Sequence, residues 1–135
     1  MSKLYRSREG QITAVDTKSQ LSTLGSESAP GPLLVPAGAK TLNAVIAVFA
    51  TDCAVAADGA ILLRLEGPGL PEGPETIAIG AHGVAVATGG HGSRTAKRYE
   101  LNIPVVPGNE ILIFAENAGE DVGTETVGAT LEFQM

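Results

Sequence analysis

Residues 99–115 read YELNIPVVPGNEILIFA and contain two short runs in which apolar side chains recur at every second position. This period places alternate side chains on one face, as in a β-strand with a buried side. The two runs, Tyr99–Ile103 and Glu110–Ala115, are separated by Val106–Asn109, whose proline and glycine favour a turn. The segment therefore predicts two strands joined by a tight connection.

Similar runs, bounded by glycine or proline, recur after Leu33. The predicted strands are Leu42–Ala50, Ala60–Glu66, Thr76–Ile79, Val84–Thr88, Tyr99–Ile103, Glu110–Ala115 and Thr126–Phe133. No long amphipathic stripe accompanies them, and one helical turn near Asp52–Ala57 is the only helix expected. The pattern predicts an all-β protein, an antiparallel β-sandwich of jelly-roll or other Greek-key type. An immunoglobulin-like sandwich is less favoured because the chain has no tryptophan and only one cysteine.

Two of the predicted strands also indicate which side chains face the core. Strict alternation places Leu42, Ala44, Ile46 and Val48 on one face of the first strand, and Asn43, Val45, Ala47 and Phe49 on the other. Both faces are largely apolar, so we expect a central strand that is covered on both sides. In the last strand, alternation separates Val127, Ala129, Leu131 and Phe133 from Thr126, Thr130 and Glu132.

The N-terminal residues differ in composition from the rest of the chain. Residues 1–32 are polar, are rich in serine and threonine, and end in Ala29-Pro30-Gly31-Pro32. We therefore predict an extended N-terminal arm over residues 1–32, with one short strand at Gln11–Asp16. The β-sandwich domain is predicted over residues 33–135.

The formal net charge is −6, and the charges are unevenly distributed. The first 20 residues contain four basic and two acidic side chains, whereas residues 99–135 contain seven acidic and no basic ones. A basic segment and an acidic body in one chain favour contact between neighbouring copies, so a homo-oligomer is expected. The alternative is a solvated tail beside an ordinary solvated surface.

Several partners and compartments are disfavoured by the composition. No basic stripe with interleaved aromatic residues is present, so no nucleic-acid partner is expected. No apolar run approaches the roughly 18 residues that span a bilayer, and Met1–Gly10 is too polar for a signal peptide. Cys53 has no partner for an intrachain disulfide, and we interpret it as a buried thiol. We therefore expect no membrane partner and synthesis in the cytoplasm.

Residues with metal-binding chemistry are few. His82 and His91 flank the predicted strand Val84–Thr88, and an extended path would separate them by roughly 30 Å. Unless the segment folds back, or copies meet at a symmetry axis, they are loop histidines rather than metal ligands. The loop Glu116–Glu125 offers carboxylates that suit a cation such as calcium, but its spacing does not match an EF-hand loop.

Motifs for nucleophiles and cofactors give no stronger candidate. The chain has no Gly-x-Ser-x-Gly elbow, and Gly89–Ser93 resembles a phosphate-binding loop only in its glycine content. We therefore predict a non-enzymatic protein with no catalytic, cofactor-binding or metal-binding residues. The loops Gly67–Pro74 and Gly89–Ser93 are candidate contact surfaces instead.

Three segments, residues 35–50, 103–119 and 128–133, resemble in sequence style the small single jelly-roll proteins found in virions of bacterial and archaeal viruses. These are capsid-decoration (cement) proteins and minor capsid proteins. The resemblance implies a β-sandwich that forms a homotrimer, and an N-terminal arm that binds a neighbouring subunit or the capsid lattice. It also implies a virion location after synthesis in the host cytoplasm. The chain is short for a major capsid protein, which favours the decoration role or a minor structural one.

Two other functions are left as alternatives. A carbohydrate- or ligand-binding β-sandwich would need an aromatic platform, and only Tyr5 and Tyr99 lie outside the apolar runs that hold the phenylalanines. A metal-dependent jelly roll of the cupin kind needs clustered ligands, which His82 and His91 do not supply.

Overall fold

The computed structural model describes residues 2–12, 18–21, 31–49, 61–78, 97–117 and 125–135. Within these ranges the chain forms nine β-strands. They are β1 (Lys3–Ile12), β2 (Lys18–Gln20), β3 (Leu33–Leu34), β4 (Thr41–Phe49), β5 (Ile61–Glu66), β6 (Glu75–Ala78), β7 (Lys97–Pro104), β8 (Glu110–Asn117) and β9 (Glu125–Gln134). In this part of the chain there is no helix with the length and apolarity needed to cross a bilayer.

The strands form two antiparallel sheets. Sheet 1 has the strand order β1-β9-β4-β7, and sheet 2 has the order β2-β8-β5-β6. The short strand β3 also pairs with β8, where Leu33 and Leu34 lie opposite Ile111 and Glu110. The predicted class, an all-β protein built as an antiparallel β-sandwich, is confirmed.

The hydrophobic core is built from alternate residues of strands in both sheets and from residues beside the strands, such as Leu21 directly after β2. Its largest fully buried side chains are Phe133, Leu21, Leu33, Leu42, Leu63, Leu65, Ile111 and Ile113. In β9, all four residues predicted to face inward, from Val127 to Phe133, are at most 1% exposed. Tyr99, Leu101 and Ile103 of β7 pack against this core. Aliphatic side chains and Phe133 thus fill the space between the sheets.

Most of the predicted strands are confirmed, with ends that differ by one or two residues. β4, β5, β6, β7, β8 and β9 each match a predicted run. The predicted strand Val84–Thr88 and the predicted helical turn near Asp52–Ala57 lie outside the described residues.

A bulge in β4 changes its pairing with the neighbouring strand. Leu42 lies opposite Phe133, and Ala44 lies opposite Glu132 on the adjacent position of β9. Asn43 is therefore an extra residue on β4, and the register shifts at this point.

The bulge places Leu42 on the same face as Val45 and Ala47, where all three are at most 2% exposed. Ala44 and Ile46 then face outward with the polar side of β9. The predicted strict alternation through Leu42 is wrong, because one extra residue moves the side chains before it to the opposite face of the sheet. The predicted central position is confirmed, since β4 lies between β9 and β7. Among the described residues, the outer face of sheet 1 carries mainly polar and charged side chains around Ala44 and Ile46.

The first described segment is an edge strand of sheet 1. β1 pairs with β9 along its whole length, from Lys3 opposite Gln134 to Ile12 opposite Glu125. The predicted extended arm is not confirmed over these residues. β1, which precedes the predicted boundary at residue 32, pairs with β9, which follows it, in one sheet. An edge strand tolerates charged side chains on its open side, so β1 lacks the apolar period that identifies the other strands.

The loop predicted at Gly67–Pro74 consists of turns anchored to the core. The amide of Leu70 donates to the Gly67 carbonyl, and the amide of Gly73 donates to the Leu70 carbonyl, both at 3.1 Å. The Leu70 side chain is buried, whereas Pro71 and Glu72 are exposed. The loop therefore presents its tip to solvent, while Leu70 ties it to the sandwich.

Candidate functional site

The outer face of sheet 1 carries a group of polar side chains that includes one fully buried charge. This group, here called the outer-face cluster, consists of Lys3 and Tyr5 of β1, Arg98 and Glu100 of β7, and Glu132 of β9. Glu132 is 1% exposed and is the buried charged residue of the described part of the chain. It lies opposite Tyr5 on one neighbouring strand and Ala44 on the other.

Arg98 reaches Glu132 across the intervening strand β4. Its Nη1 donates to Glu132 Oε1 at 3.0 Å, and its Nη2 donates to Oε2 at 2.6 Å. Neighbouring strands lie about 4.8 Å apart, so the two side chains together span roughly 10 Å between backbones. Ala44 of β4 offers only a methyl group and is fully buried, which is consistent with the two long side chains meeting above it.

Groups on β1 complete the surroundings of the Glu132 carboxylate. The Tyr5 hydroxyl donates to Oε1 at 2.8 Å, and Lys3 Nζ lies 3.7 Å from the same oxygen. Arg98 is also ion-paired with Glu100 on its own strand. Since β1 and β7 are the two edges of sheet 1, one carboxylate on β9 links both edges of the sheet.

These contacts keep Glu132 ionised. The hydrogen bonds from Arg98, with a smaller contribution from Tyr5, lower the pKa of Glu132 to about 2, although burial acts in the opposite direction. The bond to Glu132 in turn raises the pKa of the Tyr5 hydroxyl. A carboxylate with so low a pKa is a poor proton donor or acceptor near neutral pH. The outer-face cluster is therefore an ion-pair clamp across the sheet.

A second candidate site lies at the edge of the sandwich, between β1 and the segment around β3. A cleft of about 510 Å³ opens there, and its lining includes Arg6, Arg8, Pro32, Leu34, Pro36 and Ala37. We call it the arginine cleft. It combines two guanidinium groups with apolar walls.

The backbone holds Arg8 in place within the arginine cleft. Its Nε donates to the Gly31 carbonyl at 2.8 Å, and its Nη1 and Nη2 donate to the Ser7 and Pro32 carbonyls at 2.7 and 3.3 Å. Arg6 makes one such bond, from Nη1 to the Tyr5 carbonyl at 3.2 Å. Within the described part of the chain, the remaining N–H groups of Arg6 have no acceptor and can donate to a group from outside the chain.

The positive charge of the arginine cleft is not neutralised by any carboxylate in the described ranges, where neither Arg6 nor Arg8 forms an ion pair. Burial lowers the pKa of Arg8, and the nearby charge of Arg6 lowers it further. A carboxylate entering the cleft would favour the charged form of both guanidinium groups and form charge-assisted hydrogen bonds with them. The arrangement thus suits an acidic group flanked by apolar surface.

The site residues considered from the sequence are only partly described. Cys53, His82, His91 and the loop Gly89–Ser93 lie outside the described residues. From the loop Glu116–Glu125, Glu116 is ion-paired with Arg64 at 2.5 Å, which engages its carboxylate within sheet 2. Across the six described ranges, no group of three or more histidine, cysteine, aspartate or glutamate side chains could hold a metal ion.

Sequence reasoning misses three residues that the structure makes prominent: Arg6, Arg8 and Glu132. Arg6 and Arg8 are two positions apart and share one face of β1, but this spacing has no meaning until β1 is known to be a strand. The sequence places Glu132 on the polar face of its strand, and its burial depends on side chains of β1 and β7 that are distant along the chain.

Comparison with known proteins finds no matching family model, no similar curated protein and no similar solved structure.

Proposed function

We propose that this chain is a non-enzymatic structural protein with a jelly-roll fold that assembles with copies of itself and binds a protein lattice. Its most specific form is a capsid-decoration (cement) or minor capsid protein of a virion. The observation that carries the proposal is the nested pairing of the strands: β5 with β6, β4 with β7, β2 and β3 with β8, and β1 with β9.

Nested pairing of this kind describes a long hairpin folded at β5–β6 and rolled into two sheets. The additional pairs β4–β9 and β5–β8 join two of these nested pairs side by side in each sheet. Because β2 and β3 both pair with β8, they count as one position, and the nine strands occupy eight positions. An antiparallel sandwich of eight strands rolled up in this way is what a jelly roll requires, and many capsid domains have that architecture. Lectin domains and cupins use it as well, so the fold supports the proposal without being specific to it.

The proposed lattice contact involves the N-terminal segment and the tip of the loop at residues 67–74. Over residues 3–12, this contact would be made by side chains on a paired strand rather than by a free arm. A closed homo-oligomer, with a trimer as the expected state, would present several identical contacts at once and convert weak binding into firm retention.

The test is the solution mass of the intact protein by light scattering, followed by co-sedimentation with capsids from its source. A closed oligomer that co-sediments in proportion to capsid, and that is released by competing unlabelled protein, is the expected result. A stable monomer with no affinity for those capsids would contradict the proposal.

Carbohydrate binding is the second candidate function, and it is favoured by one observation. Tyr5 is 49% exposed on the outer face of sheet 1 and is the large exposed aromatic side chain of the described residues. Tyr99 packs against the core instead, which reduces the aromatic surface available to a sugar. Binding on a glycan array that is lost in Tyr5→Ala would support this function over the structural one.

A further inference from the structure

The edge of the sandwich beside the arginine cleft carries an exposed leucine between groups of opposite charge. Leu34 is 58% exposed, lines the cleft, and lies opposite Glu110 in the pairing of β3 with β8. Directly opposite residues have Cβ atoms roughly 5 Å apart, so the Glu110 side chain adjoins that of Leu34. We call Arg6, Arg8, Leu34 and Glu110 the edge patch.

As far as the described residues go, neither the arginines nor Glu110 of the edge patch has an ion-pair partner. Arg6 and Glu110 are both exposed. Each therefore has its charge available to a partner outside the chain.

The order of these groups across the edge makes the patch complementary to itself. Arg8 is bonded to the backbone just before β3, so the arginines lie on the β1 side of Leu34, while Glu110 lies on the β8 side. A two-fold axis near Leu34 would place the arginines of one copy against Glu110 of the other, twice. It would also bring the two exposed leucines together at the centre.

We propose that two copies of this chain associate through the edge patch, with the Glu110 carboxylate of each copy bound by the arginine cleft of the other. This rests on the proposed function in one respect, the self-association of copies. An isologous contact of this kind pairs two copies and closes on itself, and with its two-fold axis perpendicular to the axis of a trimer it doubles the trimer. Charge-assisted hydrogen bonds at the rim and apolar contact at the centre are the usual arrangement of a specific interface.

The experiment is light scattering on the full chain and on three variants: Arg6→Glu, Glu110→Arg and the control Glu75→Arg. Arg6 and Glu110 are exposed, so their substitution leaves the core intact. Glu75 begins β6, at the opposite edge of sheet 2, and its variant changes the net charge as Glu110→Arg does. We expect Arg6→Glu and Glu110→Arg to have half the mass of the wild type, and Glu75→Arg to keep the full mass.

Mixing the two patch variants provides the decisive measurement. In the mixture, the glutamate introduced by Arg6→Glu in one chain faces the arginine introduced by Glu110→Arg in the other. At the second contact the native Glu110 of the first chain faces the native Arg6 of the second, so the full mass should return. Raising the salt from about 0.05 M to about 0.5 M should lower the fraction of doubled species, because charges at the rim are screened.

Equal masses for the wild type and both variants, or no recovery on mixing, would overturn the proposed contact. The capsid proposal fails separately. A wild-type trimer that binds capsids and is unaffected by Arg6→Glu supports the proposed function and rejects the edge patch. A doubled species that binds no capsid supports the edge patch and rejects the proposed function.

Discussion

Arg98 and Glu132 form a two-point ion pair over the strand that separates them. Both guanidinium Nη atoms donate to the carboxylate, at 3.0 and 2.6 Å, and only Glu132 is fully buried. With Tyr5 and Lys3 on the same carboxylate, the pair joins the two edge strands of sheet 1. It links these strands on a face where the described side chains are mainly polar.

Removing the charge of Glu132 tests the clamp. Glu132→Gln keeps the shape of the side chain but loses the negative charge and replaces one acceptor oxygen by an NH2 donor, and we expect a loss of about 1–3 kcal/mol in the free energy of unfolding. Arg98→Ala should destabilise the protein more, because it leaves a buried carboxylate poorly compensated. Urea unfolding measures both, and a double variant that is no worse than Arg98→Ala would establish the coupling.

The pH dependence of stability should report the same carboxylate. The pKa of Glu132 in the folded protein is about 2, below its ordinary value of 4.5. Its contribution is therefore complete above about pH 4.5 and is lost as the pH falls toward 2, because the unfolded chain binds the proton first. The melting temperature of the wild type should fall more steeply across this window than that of Glu132→Gln. Parallel curves would contradict the assignment.

Ala44 provides a test of the space that the clamp requires. Ala44→Leu should destabilise the protein even though position 44 is on the outer face of the sheet, because a larger side chain would obstruct Arg98. It should also raise the pKa of Glu132 from about 2 toward 4.5. Carboxyl titration by NMR would measure that shift. An unchanged pKa of Glu132 would show that the Arg98 side chain reaches this carboxylate without needing the space above position 44.

The bulge in β4 predicts unequal effects for two residues that strict alternation would place on one face. Leu42→Ala should cost about 2–5 kcal/mol, because the side chain is fully buried in the core. Ile46→Ala should cost about 1 kcal/mol or less, because this side chain faces outward. Denaturant unfolding of the two variants is the measurement. Equal losses would indicate that the bulge is absent.

Gly67 should be far less tolerant of alanine than Gly73. Both have positive φ, at 115° and 97°, but a Cβ on Gly67 would lie 2.6 Å from the Glu110 carbonyl oxygen, whereas one on Gly73 meets nothing within 4 Å. We expect Gly73→Ala to cost about 1 kcal/mol from backbone strain and Gly67→Ala to cost more than about 2 kcal/mol. Thermal unfolding of both variants makes the comparison, and similar melting temperatures would contradict the close approach.

Six strands and the β-sandwich class can be predicted from the sequence because their signals are local. An inward-facing run such as Val127 to Phe133 carries its period within a few residues, and proline and glycine mark the turns. β1 gives no such signal, since an edge strand open to solvent needs no apolar period, and Lys3, Arg6 and Arg8 there resemble a charged tail.

The site depends on contacts that no local pattern contains. Glu132 is buried by residues from the other end of the chain and from β7, and its low pKa follows from those partners. The facing of Leu42 depends on Asn43 as an extra residue opposite β9, which is a property of strand register. The amino-acid pattern specifies strands, turns and inner faces because these follow from the period of the backbone. Sheet order, the bulge, the clamp and the arginine cleft follow from long-range pairing, which brings distant residues together and which sequence period does not report.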